Sequence, residues 1–265
     1  MEVKQKQRGS NIIVSIIMPV YNTGALFFES YESILIQRVS DFELIVIDDG
    51  SQNDTFNIIN NIAKTDDRIK LSRNQKNSGV SYSRNLAIEK AQGQYLAFLD
   101  CGDVWLDNKL LKQIEALKDS TVDLCFTGYQ YFSNDTRIVE FSYRVPKNVS
   151  YKDMLIENYL GCSTVVVRRT SIHDYRFDAN YFHEDYVLWL KMLKNNAKFV
   201  GLTDIYVNYR TGGRSANKVK AAINRWKVYR KAERLNLLVA VFYFIKYFFR
   251  MVVKYVFNKE SNYHE

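Results

Sequence analysis

Three apolar runs that each end in polar residues restrict the fold of this chain more than any other feature. The runs are Ile12–Val20, Phe42–Ile47 and Tyr95–Leu99. Continuous apolar segments rich in β-branched residues are typical of strands buried on both faces of a parallel sheet. Segments with apolar residues at helical spacing follow the first two runs. The alternation predicts βαβ units and a largely parallel, doubly wound α/β sheet.

Polar residues follow each of these strands, at Pro19–Asn22, Asp48–Ser51 and Asp100–Asp103. Since ligands of open α/β sheets bind at the carboxyl ends of strands, we expect these three loops to line one site. The paired carboxylates of Asp100 and Asp103 are hard oxygen ligands, which indicates a divalent cation that holds a phosphorylated substrate. The alternative is that both residues only cap the next helix.

The remaining elements are predicted from periodicity and turn residues. Gly93 is expected to end a helix as its C′ residue. Asp107–Leu117 is predicted as a helix with an aspartate N-cap, and Asp123–Tyr143 as a hairpin that turns at Ser133–Asp135. Further helices are predicted at Tyr151–Tyr159 and Phe182–Leu193, and strands at Ser163–Val167, Ala197–Gly201 and Ile205–Tyr209.

The length of 265 residues suits one catalytic-size domain with an appendage. Apolar residues make up 47% and charged residues 25%, which excludes wholesale disorder, although residues 1–11 are polar and predicted to be disordered. Three cysteines without CxxC spacing argue against a disulfide framework and a zinc site, so a reducing cytosol fits best. The N-terminus has no apolar segment of the secretory type.

The net charge of +8 indicates an anionic partner. Basic residues recur through residues 218–254, where Glu233 is the one acid, and Leu235–Phe257 is the most apolar stretch. Charged residues at i, i+4 and i+8 interrupt this stretch, which disfavours a transmembrane span. They are Lys246, Arg250 and Lys254.

We therefore predict that residues 216–265 form a basic, aromatic-rich helical extension that lies on an anionic membrane. The alternative is a helix packed on the domain or on a second subunit, as in a homodimer. Nucleic-acid binding is not expected, because no recognised motif is present.

The ordered motifs of residues 12–215 resemble the large family 2 of inverting glycosyltransferases, which have the GT-A fold. The motifs are VSIIMPVYN, ELIVIDDGS, NSGVSYSRN, FLDCGDVW, HEDYVLWLKML and YRTGGRS. The resemblance implies a GT-A (Rossmann-like), mostly parallel central sheet flanked by helices, followed by the amphipathic helical extension.

The resemblance also implies a set of donor-binding residues. Pro19 and Tyr21 would border the nucleotide base, Asp49 would hydrogen-bond its imide and Arg84 would steady the nucleotide. Asp100 would hold the ribose or the metal.

A metal, Mg²⁺ or Mn²⁺, is implied on the acidic loop. Family members commonly have Asp-x-Asp-Asp there, and the second aspartate is the usual metal ligand. This chain has Gly102 at that position, which has no side chain to bind a metal. Asp103 is expected to replace the missing ligand, with Asp100 as its partner, or else metal dependence is weakened.

The catalytic roles follow from sugar transfer by single displacement. Asp185 matches the family's base, and Glu184 or His183 would orient it. Carboxylates at this position would otherwise cap the helix. Arg210 and Arg214, in a glycine-rich loop, could close over the leaving diphosphate, although a solvated basic loop is equally ordinary.

The function implied is transfer from a nucleoside-diphosphate sugar, expected to be a UDP-sugar, to a hydroxyl of an acceptor glycan. The acceptor is expected to be lipid-linked, on a polyprenyl diphosphate, during synthesis of bacterial O-antigen, capsule or exopolysaccharide. Such an enzyme would be cytoplasmic and attached to the inner face of the cell membrane.

Three other functions are compared with the sequence. A sugar nucleotidyltransferase would have a glycine-rich basic loop where this chain has Pro19–Asn22, and a dehydrogenase would have GxGxxG after a strand. A catalytically weakened nucleotide-sugar-binding or membrane scaffold protein stays open because of Gly102.

Overall fold

One mixed β-sheet organises the chain in the computed structural model, which describes residues 12–132, 139–211 and 218–260. The strands are β1 Val14–Val20, β2 Phe42–Asp48, β3 Ile69–Arg73, β4 Tyr95–Phe98, β5 Val104–Trp105, β6 Leu124–Phe132, β7 Val139–Tyr143, β8 Val166–Arg168 and β9 Phe199–Arg210. The helices are α1 Leu26–Leu35, α2 Thr55–Ala63, α3 Val80–Lys90, α4 Lys109–Ala116, α5 Tyr151–Ile156, α6 Arg169–Ile172, α7 Glu184–Lys194, α8 Lys218–Lys227 and α9 Leu237–Glu260.

The first four strands form a parallel half-sheet in the order β3-β2-β1-β4, as the sequence predicts. Every residue of β2 and β4 is buried, and in β1 only Pro19 is partly exposed. Helices connect these strands, so both faces of the sheet are covered and no polar face is needed.

The second half of the sheet is less uniformly parallel than the sequence indicates. Strand β8 is antiparallel to both β4 and β6, β5 is antiparallel to β9, and β6 is parallel to β9. The two closing strands predicted at Ala197–Gly201 and Ile205–Tyr209 are one strand, β9. Irregular register beside Gly128 of β6 allows β9 to continue through the polar residues Thr203 and Asp204.

Several local predictions need correction. Helix α3 ends at Lys90, so Gly93 is not its C′ residue; a Cβ at Gly93 would lie 2.5 Å from the Ser15 backbone nitrogen, and close packing on β1 requires glycine there. Helix α4 begins after Asn108, which has a left-handed backbone, and Asp107 does not cap it. The predicted hairpin is β6–β7. Its turn at Ser133–Asp135 and the predicted disordered residues 1–11 lie outside the described residues.

The C-terminal helices pack on the domain beside α5. Phe244 of α9 contacts Trp226 of α8 edge to face, and Arg250 Nε donates to Glu157 Oε2 at 2.7 Å. No helix among the described residues combines the length and apolar character that crossing a bilayer requires.

A buried lysine lies between α4 and the sheet. Lys109 is fully buried, its Nζ donates to Gln113 Oε1 at 2.7 Å, and it lies 4.2 Å from the centre of the Trp105 ring. Burial lowers the pKa of Lys109 to about 7 from its ordinary 10.5. The side chain is therefore largely neutral above pH 7 in the folded protein.

Substitution Lys109→Met should flatten the pH dependence of stability between pH 7 and pH 10.5. The unfolded chain binds the Lys109 proton over this range and the folded chain does not, so this residue makes wild-type stability rise with pH, by up to about 1.4 kcal/mol per pH unit. Urea unfolding measured across the range gives the slope. Lys112→Met, at an exposed lysine of the same helix, should keep the wild-type slope; equal slopes for all three proteins would mean that Lys109 titrates normally.

Candidate active site

The carboxyl ends of β1, β2 and β4 lie together at one edge of the sheet, as the sequence predicts. Val20 pairs with Asp48, and Ile17 pairs with Phe98. The Asp49 amide continues this pairing by donating to the Val20 carbonyl at 2.8 Å. The polar loops that follow the three strands therefore border a common site.

Asp49 fixes the start of α3. Its carboxylate accepts hydrogen bonds from the backbone amides of Ser78, at 2.9 Å, and Gly79, at 2.7 Å, and from the Asn74 side chain at 2.7 Å. These bonds satisfy amides at the N-terminal end of a helix whose cap residue, Gly79, has a φ of +90° and offers no side-chain cap. Its contact with a nucleotide imide stays a prediction.

Arg84 of α3 lies between two carboxylates from distant parts of the chain. Its guanidinium donates to Asp100 Oδ1 at 2.5 Å and to Glu184 Oε1 at 2.7 Å, and its side chain is 2% exposed. The guanidinium carbon also lies 5.2 Å from the centre of the Phe177 ring. The arginine thus joins the end of β4 to the start of α7, a role that the sequence does not indicate; its contact with the nucleotide stays a prediction.

Asp185 follows Glu184 in the first turn of α7, and neither residue is a side-chain cap of the helix. Burial and the neighbouring Glu184 carboxylate raise the pKa of Asp185 to about 6, against the opposing effect of Arg84. A carboxylate with a raised pKa is a stronger proton acceptor than an ordinary aspartate and is still ionised at neutral pH. This is the electrostatic environment that a general base requires.

The Asp100–Asp103 loop turns its second acid inward. Asp103 Oδ2 accepts from Ser163 Oγ at 2.6 Å, and Oδ1 accepts from the Arg210 amide at 3.2 Å. Burial, together with Asp100, raises the pKa of Asp103 to about 7. Gly102 has a φ of +103°, a conformation that an L-residue with a side chain rarely adopts. The loop therefore needs glycine at the position where the family resemblance implies an acid.

The acidic loop offers a divalent cation one accessible carboxylate. Asp100 is 38% exposed and uses one oxygen for Arg84, whereas both oxygens of buried Asp103 bind protein donors. Among the described residues, no group of three or more His, Cys, Asp and Glu side chains could hold a metal. Asp100 fits Mg²⁺ or Mn²⁺ only as a single ligand completed by substrate phosphates and water; Asp103 does not fit without rearrangement.

Arg210, at the end of β9, contacts this loop. Its Nε donates to the Gly102 carbonyl at 2.9 Å, and its guanidinium pairs with Glu29 Oε2 at 2.6 Å. The structure thus brings Arg210 to the site, although its diphosphate contact stays a prediction. Arg214 lies outside the described residues. Pro19 is partly buried and Tyr21 is 43% exposed at the end of β1.

Aromatic side chains from β6, β7, β9 and the segment after α5 form an extended cluster that the sequence analysis does not predict. Neighbouring rings lie with centres 5.3 to 6.5 Å apart. The members of this aromatic cluster are Tyr129, Tyr131, Phe141, Tyr143, Tyr159 and Tyr209.

Tyr209 connects the aromatic cluster to the acidic loop. Its hydroxyl is buried and has no hydrogen-bond partner within the described part of the chain. Burial and then the Asp103 carboxylate raise its pKa well above the usual range. The ring lies so close to Gly161 that a Cβ there would be 2.1 Å from the hydroxyl oxygen.

Two serines that support the site are not predicted from the sequence. Ser30 Oγ accepts from the Gly102 amide and donates to the Asp103 carbonyl, both at 2.8 Å. Ser163 Oγ, besides donating to Asp103, accepts from the Asp100 amide at 3.1 Å. The sequence has no signal for these pairings, because each joins residues 60 or more positions apart.

Comparison with known proteins finds relatives that match most of this chain. TuaG of Bacillus subtilis, named as a teichuronic acid biosynthesis glycosyltransferase, is 34% identical over 89% of this chain and 94% of its own length. WfgD of Escherichia coli, named as a UDP-Glc:alpha-D-GlcNAc-diphosphoundecaprenol beta-1,3-glucosyltransferase, is 33% identical over 94% of this chain and 97% of its own length.

Solved structures share the fold at low sequence identity. S. aureus TarS 1-349 in complex with UDP-GlcNAc superposes with a TM-score of 0.68 at 20% identity, over 96% of this chain and 76% of that one. The mannosyltransferase PcManGT from Pyrobaculum calidifontis, in complex with GDP-Man and Mn²⁺, also gives 0.68, at 18% identity over 87% and 69%. The family model "Glycosyl transferase family 2" matches residues 15–177. Together with the α/β sheet of GT-A type and its acidic strand ends, this match shows that the chain belongs to glycosyltransferase family 2.

Proposed function

We propose that this protein is an inverting glycosyltransferase that moves a sugar from a UDP-sugar to a hydroxyl of a lipid-linked glycan at the inner face of the cell membrane. The observation that carries the proposal is the position of Arg84 between Asp100 and Glu184. Arg84 links the acidic loop, which we assign to the donor, to the residue preceding Asp185, which we assign to the acceptor hydroxyl. The groups that would bind the donor and activate the acceptor are therefore held at a fixed distance from each other.

The donor and acceptor classes draw support from the relatives. The name of WfgD specifies UDP-Glc as donor and a sugar on diphosphoundecaprenol as acceptor. WfaP of Escherichia coli has the same activity in its name and is 33% identical over 88% of this chain. A UDP-sugar and an acceptor on a polyprenyl diphosphate are therefore the substrate classes that we assign to this chain.

The proposed reaction is one displacement at the anomeric carbon. The acceptor oxygen forms the new bond to that carbon while the bond to the diphosphate oxygen breaks and its electron pair leaves with the diphosphate. Asp185 takes the proton of the acceptor hydroxyl. Attack from the side opposite the leaving group inverts the configuration, so an α-linked donor gives a β-linkage.

Charge on the departing diphosphate needs stabilisation. Arg210 lies against the acidic loop, and releasing its guanidinium from Glu29 would let it bind a phosphate. A divalent cation on Asp100 would supply further positive charge to the same oxygens when bound. Asp100 itself is held in place by Arg84.

The aromatic cluster is the surface that we assign to the acceptor sugar. Partly exposed rings such as Tyr131 and Phe141 offer apolar faces to the C–H side of a sugar. Tyr209 packs against Tyr129 and Tyr131 and so supports these rings. The cluster thus provides the apolar ring contacts that a binding site for a glycan requires.

Substitution Asp185→Asn should lower kcat by about 10²–10⁴-fold, because an amide cannot accept the proton of the attacking hydroxyl. Thermal stabilisation by UDP should stay at the wild-type level. Asp174→Asn, at an exposed aspartate whose side chain is 89% accessible, is the matched control and should retain activity. Normal turnover by the Asp185→Asn protein would remove Asp185 as the base.

The rate should also depend on pH through Asp185. The base acts only when ionised, so kcat should be constant at neutral pH and fall as the pH drops through about 6, the raised pKa of this residue. Steady-state kinetics with donor and acceptor saturating give this profile. An acid limb at the ordinary aspartate value, about 4, would contradict the assignment.

Substitution Arg84→Lys distinguishes positioning from nucleotide contact. A lysine is a single point charge and cannot donate to Asp100 and Glu184 in the forked geometry of a guanidinium. We expect kcat to fall by about 10²-fold with little change in the donor KM. A large rise in donor KM at unchanged kcat would instead support nucleotide contact. Arg68→Lys, in the ion pair with Asp66 at the start of β3, is the control for replacing any paired arginine.

A further inference from the structure

Helix α9 presents a continuous apolar face to solvent. Its members recur every three or four positions along the helix, and each is 40% to 82% exposed. This outer face comprises Leu238, Val241, Phe242, Ile245, Phe248, Phe249 and Val252. From Leu238 to Val252 it extends over about 21 Å. Soluble monomers rarely expose a contiguous apolar surface of this kind without a binding function.

Contacts on the opposite side of α9 fix which residues point outward. Ala240 is fully buried, and Phe244 packs on Trp226. The guanidinium of buried Arg225 lies 4.7 Å from the centre of the Tyr247 ring, and Arg250 pairs with Glu157 at 2.7 Å. These contacts recur along the helix and prevent it from rolling.

The same contacts set Arg250 apart from Lys246, although the two residues are four positions apart in the chain. Arg250 bonds the domain through Glu157 and so does not belong to an outward basic stripe with Lys246. The side chain of Lys254 lies outside the described residues. The outward face of α9 is instead apolar, and basic residues flank it.

The surroundings of the outer face are basic. Lys246 is exposed and its Nζ lies 4.5 Å from the centre of the Phe242 ring. The ten residues that precede α9 in the chain include four exposed basic residues: Lys227, Arg230, Lys231 and Arg234. The acid of this segment, Glu233, is buried and pairs with Lys194. A second copy of the chain docked on this face would bring like charges together, whereas an anionic surface complements them.

We propose that the outer face of α9 binds the surface of an anionic lipid bilayer, with the helix axis parallel to the membrane. Apolar side chains of α9 would enter the boundary between headgroups and acyl chains, and the flanking lysines and arginines would contact lipid phosphates. The helix remains attached to the domain through its inner side, so binding needs no unfolding.

This orientation brings the acceptor surface close to the membrane. Glu157, the partner of Arg250, also interacts with Tyr143 of the aromatic cluster, and Tyr143 stacks on Tyr159. A sugar on a lipid diphosphate would reach the cluster while its lipid chain stays in the bilayer. This consequence rests on the proposed function; the lipid binding itself does not.

Vesicle flotation of the full chain tests the surface without donor or acceptor. The wild-type protein should float with vesicles of phosphatidylcholine and phosphatidylglycerol and bind pure phosphatidylcholine weakly. The variant Phe242→Ser/Phe248→Ser/Phe249→Ser should bind anionic vesicles at least about tenfold more weakly. The control Leu35→Ser/Ile36→Ser removes exposed apolar residues from the last position of α1 and its C-cap, and should bind like the wild type.

A charge variant gives an independent measure. Lys227→Gln/Lys231→Gln should weaken vesicle binding by about fivefold for each charge removed. Added salt should also weaken vesicle binding, because it screens the same charges. Equal vesicle binding by the wild-type and triple-serine proteins would overturn the proposal. The proposal would also be overturned if the wild-type protein were a dimer that does not bind vesicles and the triple-serine variant were a monomer, because the face would then be a protein interface.

Discussion

The buried ion pairs of Arg84 constrain the rest of the site. A guanidinium that is 2% exposed is stable only when carboxylates replace its lost hydration, and here they come from the end of β4 and the start of α7. Removing one partner of a buried pair costs about 3–5 kcal/mol. The α3 helix, the acidic loop and α7 are therefore held in one arrangement, and Asp185 takes its position from it.

The parallel half of the sheet could be predicted from the sequence because burial on both faces demands uninterrupted apolar runs. Each of β1, β2 and β4 has such a run, and the end of each run fixes where a polar loop begins. The second half could not be predicted in the same way. Its short strands have the same pattern in either direction, and pairing of β6 with β9 joins segments about 75 residues apart, for example Leu124 and Phe199.

The proximity of the candidate site residues was predictable from the sequence, and the orientation of their side chains was less so. Asp49, Asp100, Glu184 and Asp185 follow from motifs, and the structure brings them to one edge of the sheet. The inward turn of Asp103 depends on Ser163 and on the Arg210 amide, and the pairing of Arg210 depends on Glu29. These partners are ordinary residues in the sequence, and only tertiary contact gives them a role.

The close approach of Tyr209 to Gly161 couples two positions that are far apart in the chain. Any side chain at position 161 would occupy the space of the Tyr209 hydroxyl. A variant with a larger residue at position 161 therefore needs a shorter one at position 209. A shorter residue at position 209 alone would leave a void beside Gly161. Attempts to reshape the aromatic cluster have to change these two residues together.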